Sequence, residues 1–251
     1  MKKHLVPLMF LVMAGYSAAG AQPPGYSSSN DAAQRINITG TIGIAQVWGE
    51  ELKPPSNTPR AIINLKDALL RWTDITATVE NHVLLGKSDI AIFPVLFIST
   101  DKAFQLSETE KTNLKEYLKN GGFLVVDNAG AAQDNGPSGA SLIQMIKDIA
   151  GSSRLEPISN SNPIFHTPFE LGGPPAGSVN EMQRVGTWPD GQPSLIIPTE
   201  SKTLQGVTID GRLAVVYSNM GYSVKWNADT GNDPQLKMGV NLILHALNQK
   251  K

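Results

Sequence analysis

Residues Pro94 to Asp127 read PVLFISTDKAFQLSETEKTNLKEYLKNGGFLVVD, two apolar runs on either side of an amphipathic stretch. The first run, Pro94-Val95-Leu96-Phe97-Ile98, places its proline at the opening position, where a strand tolerates a missing N–H. Ser107 and Glu110 stand at capping-box spacing, each side chain satisfying a free backbone N–H of the other at a helix start. Leu114, Tyr117 and Leu118 form the buried stripe of that helix, and Gly121 is its C-terminal stop. Gly122 to Asp127 then resumes as a second uninterrupted apolar run. Strand, helix and strand in so short a span, with strands apolar on both faces, make a βαβ unit in a parallel sheet. Its crossover is expected to be right-handed.

Outward from that unit the same grammar repeats. Upstream, Ile36, Ile38, Ile42 and Ile44 keep a period of two and continue into Val47 and Trp48, a strand. Thr58 and Pro59 read as an N-cap and first-turn pair for a helix carrying Ile62, Leu65, Leu69 and Trp72. A weaker strand lies between Thr76 and Leu85. Downstream, Ser138 is placed to cap a helix bearing Leu142, Ile143, Ile146 and Ile149, with Gly151 ending it. Residues 167–198 are rich in Gly and Pro, and a connection of that length reads as a lid, a binding loop or an insert. Val207-Thr208-Ile209 and Leu213 to Tyr217 flank Asp210-Gly211, a pair suited to a type I′ hairpin turn. Asp233 and Pro234 open a last helix with Leu236, Val240, Ile243, Leu244 and Leu247 on one side.

Composition narrows the chemistry. The chain has no cysteine, which removes disulfides, thiolate catalysis and thiolate metal ligands together. Lys2, Lys3 and His4 precede an apolar stretch from Leu5 to about Ala14, and Ala19-Gly20-Ala21 supplies a small-x-small site. This is the pattern of a signal peptide over residues 1–21, cleaved before Gln22. The run is shorter than the roughly 20 apolar residues of a membrane span, so no stable membrane insertion is expected after cleavage. Residues 22–34 read as a flexible lead-in, and 35–251 as a single α/β domain with its long loop at 167–198. The formal charge is −1, and no Lys/Arg cluster tracks phosphates, so nucleic acid is not an expected partner.

The ordered set Phe93 to Ile98, Leu106-Ser107-Glu108, Leu114 to Leu124, Asn162-Pro163-Ile164-Phe165, Asp210 to Tyr217 and Gly239-Val240-Asn241-Leu242 resembles a bacterial family, domain of unknown function 4159. The resemblance covers roughly residues 36–248. It implies a fold similar to class I glutamine amidotransferases: a flavodoxin-like three-layer sandwich, with a mostly parallel central sheet and a C-terminal hairpin plus helix. Those enzymes use a cysteine, which this chain lacks, so their activity does not carry over. Members of the family look like cell-envelope proteins found with von Willebrand A-type domains, which hints at assembly work.

In an open parallel sheet ligands bind beyond the carboxyl ends of the strands. Asp101 and Asp127 fall at two such ends, with Asn128 adjoining the second. Adjacent strand ends come within about 5–10 Å, so the pair could hold a cation or a sugar hydroxyl, or act as acid and base if their surroundings split their pKa values. The competing reading gives both to turns, where Asp and Asn bond local backbone N–H groups. His166, at the start of the long loop, is a candidate base or a structural loop histidine. Asn219 and Trp226 follow the strand Leu213 to Tyr217; the tryptophan either stacks on a ligand or seals the core. Asn227 to Asp233 is oxygen-rich, but the bidentate glutamate of a calcium loop is replaced by Met238 or Val240 at position twelve. No metal site and no cofactor is expected, and no P-loop, dinucleotide fingerprint or nucleophile elbow occurs.

Two functions lead, ahead of a third reading as a purely structural component of a larger complex. One is an exported, periplasmic or extracellular, non-catalytic binding or assembly module of the cell envelope. Its partners would be envelope proteins or a small polar ligand, held in a crevice of Asp101, Asp127, Asn128, Asn219 and Trp226. The other is a carboxylate-dependent hydrolase, glycan-directed in one version, using Asp101 and Asp127, with His166 as a further candidate.

Overall fold

The computed structural model describes residues 36–130, 136–178, 184–187, 193–195 and 204–249. The proposed leader 1–21 and the segment 22–34 lie outside the described residues. In chain order the elements are β1 (Ile36–Trp48), α1 (Ala61–Trp72), β2 (Thr73–Leu84), β3 (Val95–Thr100), α2 (Glu108–Lys119), β4 (Phe123–Asn128) and α3 (Pro137–Ile149). There follow β5 (Leu155–Pro157), β6 (Arg184–Thr187), β7 (Pro193–Leu195), β8 (Gln205–Ile209), β9 (Arg212–Ser218), α4 (Tyr222–Asn227) and α5 (Asp233–Asn248).

Seven strands form one sheet in the order β2-β1-β3-β4-β9-β8-β5. The first five run parallel, and the β8–β9 hairpin and the β5–β8 pair are antiparallel. The order 2-1-3-4 followed by one more parallel strand is that of flavodoxin-like sheets, with the chain reversing its winding between β1 and β3. Carboxyl ends of β1, β3, β4 and β9 therefore share one rim, as the apolar runs predict. All six residues of β3 and all six of β4 are buried, because helices cover both faces.

Strand parity divides the core in two. Ile44, Val95, Phe97, Phe123, Val125 and Val216 pack on one face with α1, α4 and α5. Ala45, Leu96, Ile98, Leu124, Val126 and Val215 pack on the other with α2 and α3. This is the three-layer sandwich of the sequence reading. The turn Asp210-Gly211 has positive φ at both residues (50° and 75°), the backbone a type I′ hairpin needs.

Local starts and stops differ in places. The capping box forms as read: Ser107 Oγ accepts from the Glu110 N–H, and Glu110 Oε2 accepts from the Ser107 N–H at 2.8 Å. Gly121, at φ 93°, follows the end of α2. Thr58 does not cap α1. Its hydroxyl bonds the Pro55 carbonyl, and its own carbonyl accepts from Ala61, so the helix begins after a separate turn. Ser138 does not cap α3 either; Gly136 is the cap, Pro137 fills the first turn, and the Ser138 hydroxyl is drawn to Asn128. Within 167–198 the described residues include the two-stranded antiparallel sheet β6–β7, so the stretch is not loop throughout. Its residues 179–183, 188–192 and 196–198 lie outside the described ones.

Candidate functional site

At the common rim, four of the five parallel strands carry a polar residue of the same parity. Gln46, Ser99, Asp127 and Ser218 lie on β1, β3, β4 and β9, on the face that carries α4, and all four are buried. Ser99 is in register with Asp127, and Asp127 with Ser218. Gln46 Nε2 donates to Ser99 Oγ at 3.0 Å. A buried row of polar groups across four strands persists only if its members are hydrogen-bonded, and these are.

Asp127 anchors the row. Its Oδ1 accepts from the Tyr222 N–H at 2.9 Å, and its Oδ2 from the Ser223 N–H at 2.7 Å and the Ser223 hydroxyl at 2.6 Å. These donors open α4, so the carboxylate closes the free N–H groups of that short helix. Burial pushes the Asp127 carboxyl up from its ordinary range, opposed by the hydrogen bonds from Ser223, Tyr222 and Ser218. Both oxygens are committed to fixed donors of the chain itself.

Asn128 points to the opposite face. Its Nδ2 donates to Asn219 Oδ1 at 2.7 Å, and its Oδ1 accepts from the Ser138 hydroxyl at 2.8 Å and the Gly130 N–H at 3.2 Å. Gly130 sits where a Cβ would lie 3.2 Å from the Asp101 carbonyl and 2.9 Å from Ser138 Oγ. Asn128 thus ties the end of β4 to Asn219 after β9 and to Ser138 of α3, with the Asp101 backbone alongside Gly130. Asp101 is exposed, and among the described residues its carboxylate meets no hydrogen bond or ion pair. The structure joins Asn128 with Asn219, leaves Asp101 facing solvent and turns Asp127 inward beneath α4.

Trp226 seals the core. It is buried, its ring stands edge-on to Phe97 at 5.8 Å, and its Nε1 donates to the Gln235 carbonyl at 2.8 Å. His166 follows the 3-10 turn Pro163–Phe165. Nδ1 lies 2.6 Å from Glu170 Oε1, and Nε2 lies 2.6 Å from the Asn160 carbonyl. The Asn160 carbonyl, and then Glu170, raise its pKa. With both ring nitrogens engaged, His166 acts as a clip for the loop.

The first part of the long loop is strapped down over the rim. Asn241, fully buried on α5, donates to the Ile164 and Phe169 carbonyls and accepts from the Phe169 N–H. Tyr222 donates to the Pro175 carbonyl at 2.7 Å, and Gln235 to the Ala176 carbonyl at 2.5 Å. Gly177 passes so close to Met220 that a Cβ would stand 1.9 Å from its carbonyl oxygen. Asn227, Asp229 and Asn232, which tempted a calcium reading, tie neighbouring segments instead. Asn227 accepts from the Arg60 N–H, Asp229 pairs with Arg60, and Asn232 donates to the Lys225 and Ala228 carbonyls. Among the described residues no three His, Asp or Glu side chains gather as a metal site, and no helix is long and apolar enough to cross a membrane.

Gln46, Ser99, Ser218 and Ser223 were missed by sequence reasoning. A signal existed for the first three: each lies two residues beyond an apolar residue of one core face, Ile44, Phe97 and Val216, so strand parity alone selects them. Ser223 carried none, because α4 is too short to show periodicity.

The family described as Domain of unknown function (DUF4159) matches residues 44–247. Among solved structures, a ThuA-like protein from Bacteroides uniformis aligns over 90% of this chain and 97% of its own, with 13% identity and a TM-score of 0.45. No curated protein matches the chain.

Proposed function

We propose a role for this chain, which belongs to the domain of unknown function 4159 family, as a non-catalytic binding or assembly module of the cell envelope. The observation that carries this reading is the state of Asp127: both carboxylate oxygens are consumed by the first turn of α4. A general acid or base must be free to exchange a proton with a substrate within hydrogen-bond reach, and both oxygens of this one are taken by the Tyr222 N–H and by the N–H and hydroxyl of Ser223. The absence of cysteine supports the same conclusion, and the charged, apolar and small-residue order of residues 2–21 supports export. Exposed Asp101 and half-buried Asn219 are the parts of the proposed crevice that a partner or small polar ligand reaches.

The competing hydrolase uses the same pair, and it draws on one feature: the Asp101 carboxylate is exposed and meets no described partner. A panel of chromogenic glycosides, esters and phosphates separates the readings. The binding role expects the wild type to turn over none of them faster than Asp101→Ala. Turnover that disappears in Asp101→Ala at unchanged Tm overturns it. In intact cells, a photo-cross-linking residue at exposed Lys102 is expected to give discrete protein adducts; a smear no different from that of a buried control site counts against the module.

A further inference from the structure

We infer that the β2 edge of the sheet joins the same edge of a second copy of this chain, antiparallel, about a two-fold axis at Thr78. The pairing is independent of the envelope role, since it concerns how the chain meets itself. The two outer strands of the sheet are β2 and β5, and they are built differently. β5 has three residues and ends in Pro157, so it is too short, and too soon stopped by a proline, to accept another strand. β2 has twelve residues with no proline, glycine or lysine, and Asp74 to Glu80 run in unbroken register beside β1. Among the described residues no strand lies on its outer side. A long, regular outer strand without such guards is a template for a further strand.

Apolar exposure gathers around the same strand. The large apolar side chains exposed among the described residues are Leu70, Leu84 and Ile92. Leu70 stands in the last turn of α1, which passes straight into β2; Leu84 ends β2; Ile92 closes the 3-10 turn Ser88–Ile92 that follows. Ile75 and Ala77 pack on the face that carries α1, and Val83 on the opposite one, so alternation turns Leu84 to the α1 face. A two-fold axis perpendicular to the sheet keeps that face common to both copies and sets the start of one β2 across from the end of the other. Leu70 of each copy then faces Leu84 of its mate. The chain is complementary to itself head to tail, which makes a second copy the occupant.

Charge selects the register. An axis at Ala77 would set Asp74 directly opposite Glu80 twice over, and like charges directly opposite are destabilising. At Thr78 the axis sets Thr78 against itself, Thr76 opposite Glu80 and Ala77 opposite Val79. No like-charged pair remains.

Sedimentation and light scattering of the chain test the pairing. The mass of two chains is expected at roughly 100 µM, well above a micromolar dissociation constant. Thr78→Lys, Leu70→Glu and Leu84→Glu are each expected to weaken association at least about tenfold with little change in Tm, because all three side chains are exposed. The chain has no cysteine, so Thr78→Cys introduces a sole thiol that the axis sets against its own counterpart. Mild oxidation is expected to cross-link Thr78→Cys, whose two copies fall within the short Cα separation a disulfide needs. Thr76→Cys, which faces Glu80 instead, is expected to stay uncross-linked. The mass of one chain at that concentration overturns the proposal; protection of the β2 amides from hydrogen exchange in that monomer by added envelope extract would assign the edge to a foreign strand. A dimer indifferent to all three charged substitutions overturns it too, as does one that cross-links through Thr76→Cys and not through Thr78→Cys.

Discussion

Asp127 shows how one residue type can be legible in position and opaque in role. The sequence places an aspartate just past an apolar strand, where chemistry and turn-making look alike, and only the arrival of α4 from a distant part of the chain decides between them. Replacing its carboxyl group by an amide leaves one acceptor oxygen for three donors. Asp127→Asn is therefore expected to lower stability by about 1–3 kcal/mol, measured by denaturant unfolding. The pH dependence has a definite sign. Burial raises the folded pKa above that of the unfolded chain, so the folded state holds the proton longer. Stability falls as pH climbs from the ordinary carboxylate range through the folded titration, and Asp127→Asn should lack that fall. His166 has the reverse chemistry. Its folded pKa is raised by the Asn160 carbonyl and Glu170, so its contribution is complete below the ordinary histidine range and is lost as pH rises through the folded value. An NMR titration is expected to show the ring protonated above that range in the wild type and closer to it in Glu170→Gln.

Elements with strong local signals were read correctly. The capping box of α2 is one, because its two side chains satisfy each other within four residues. Glu110 does more than cap: it is almost fully buried, and its Oε1 also accepts from the Glu50 N–H at 2.8 Å, pinning the exit of β1. Ser107→Ala is therefore expected to cost about 1 kcal/mol, and Glu110→Ala about 2–4 kcal/mol, since two backbone N–H groups lose their acceptor. Caps at Thr58 and Ser138 were misread for a shared physical reason. A short hydroxyl side chain has several acceptors in reach, and a local turn carbonyl, Pro55, in one case and the side chain of Asn128 in the other outcompete the helix terminus. Strand β5 and helix α4 were not visible, being three and six residues long. The strap at residues 174–178 belongs to this scale. Gly177→Ala brings a methyl against the Met220 carbonyl, and faster amide hydrogen exchange in Ala176 to Ser178 and α4 is the expected result.

For the whole molecule, the parallel sheet and its two helical layers were legible because apolar runs on both faces admit few arrangements. What the pattern withheld was which strand-end groups meet, since that depends on strands far apart in sequence joining in register. The proposed leader makes its own prediction: protein recovered from an envelope fraction should begin at Gln22 by N-terminal sequencing, and a preparation still carrying Met1 there overturns the cleavage. β9 fills the slot between β4 and β8, and Asn128 must find Asn219, 91 residues later. At roughly 5–20 residues per second of synthesis, a nascent chain leaving the ribosome keeps the β4 side of its sheet open for several seconds. That interval suits the export proposed above, because the chain is then an unclosed, still threadable polypeptide rather than a finished globule.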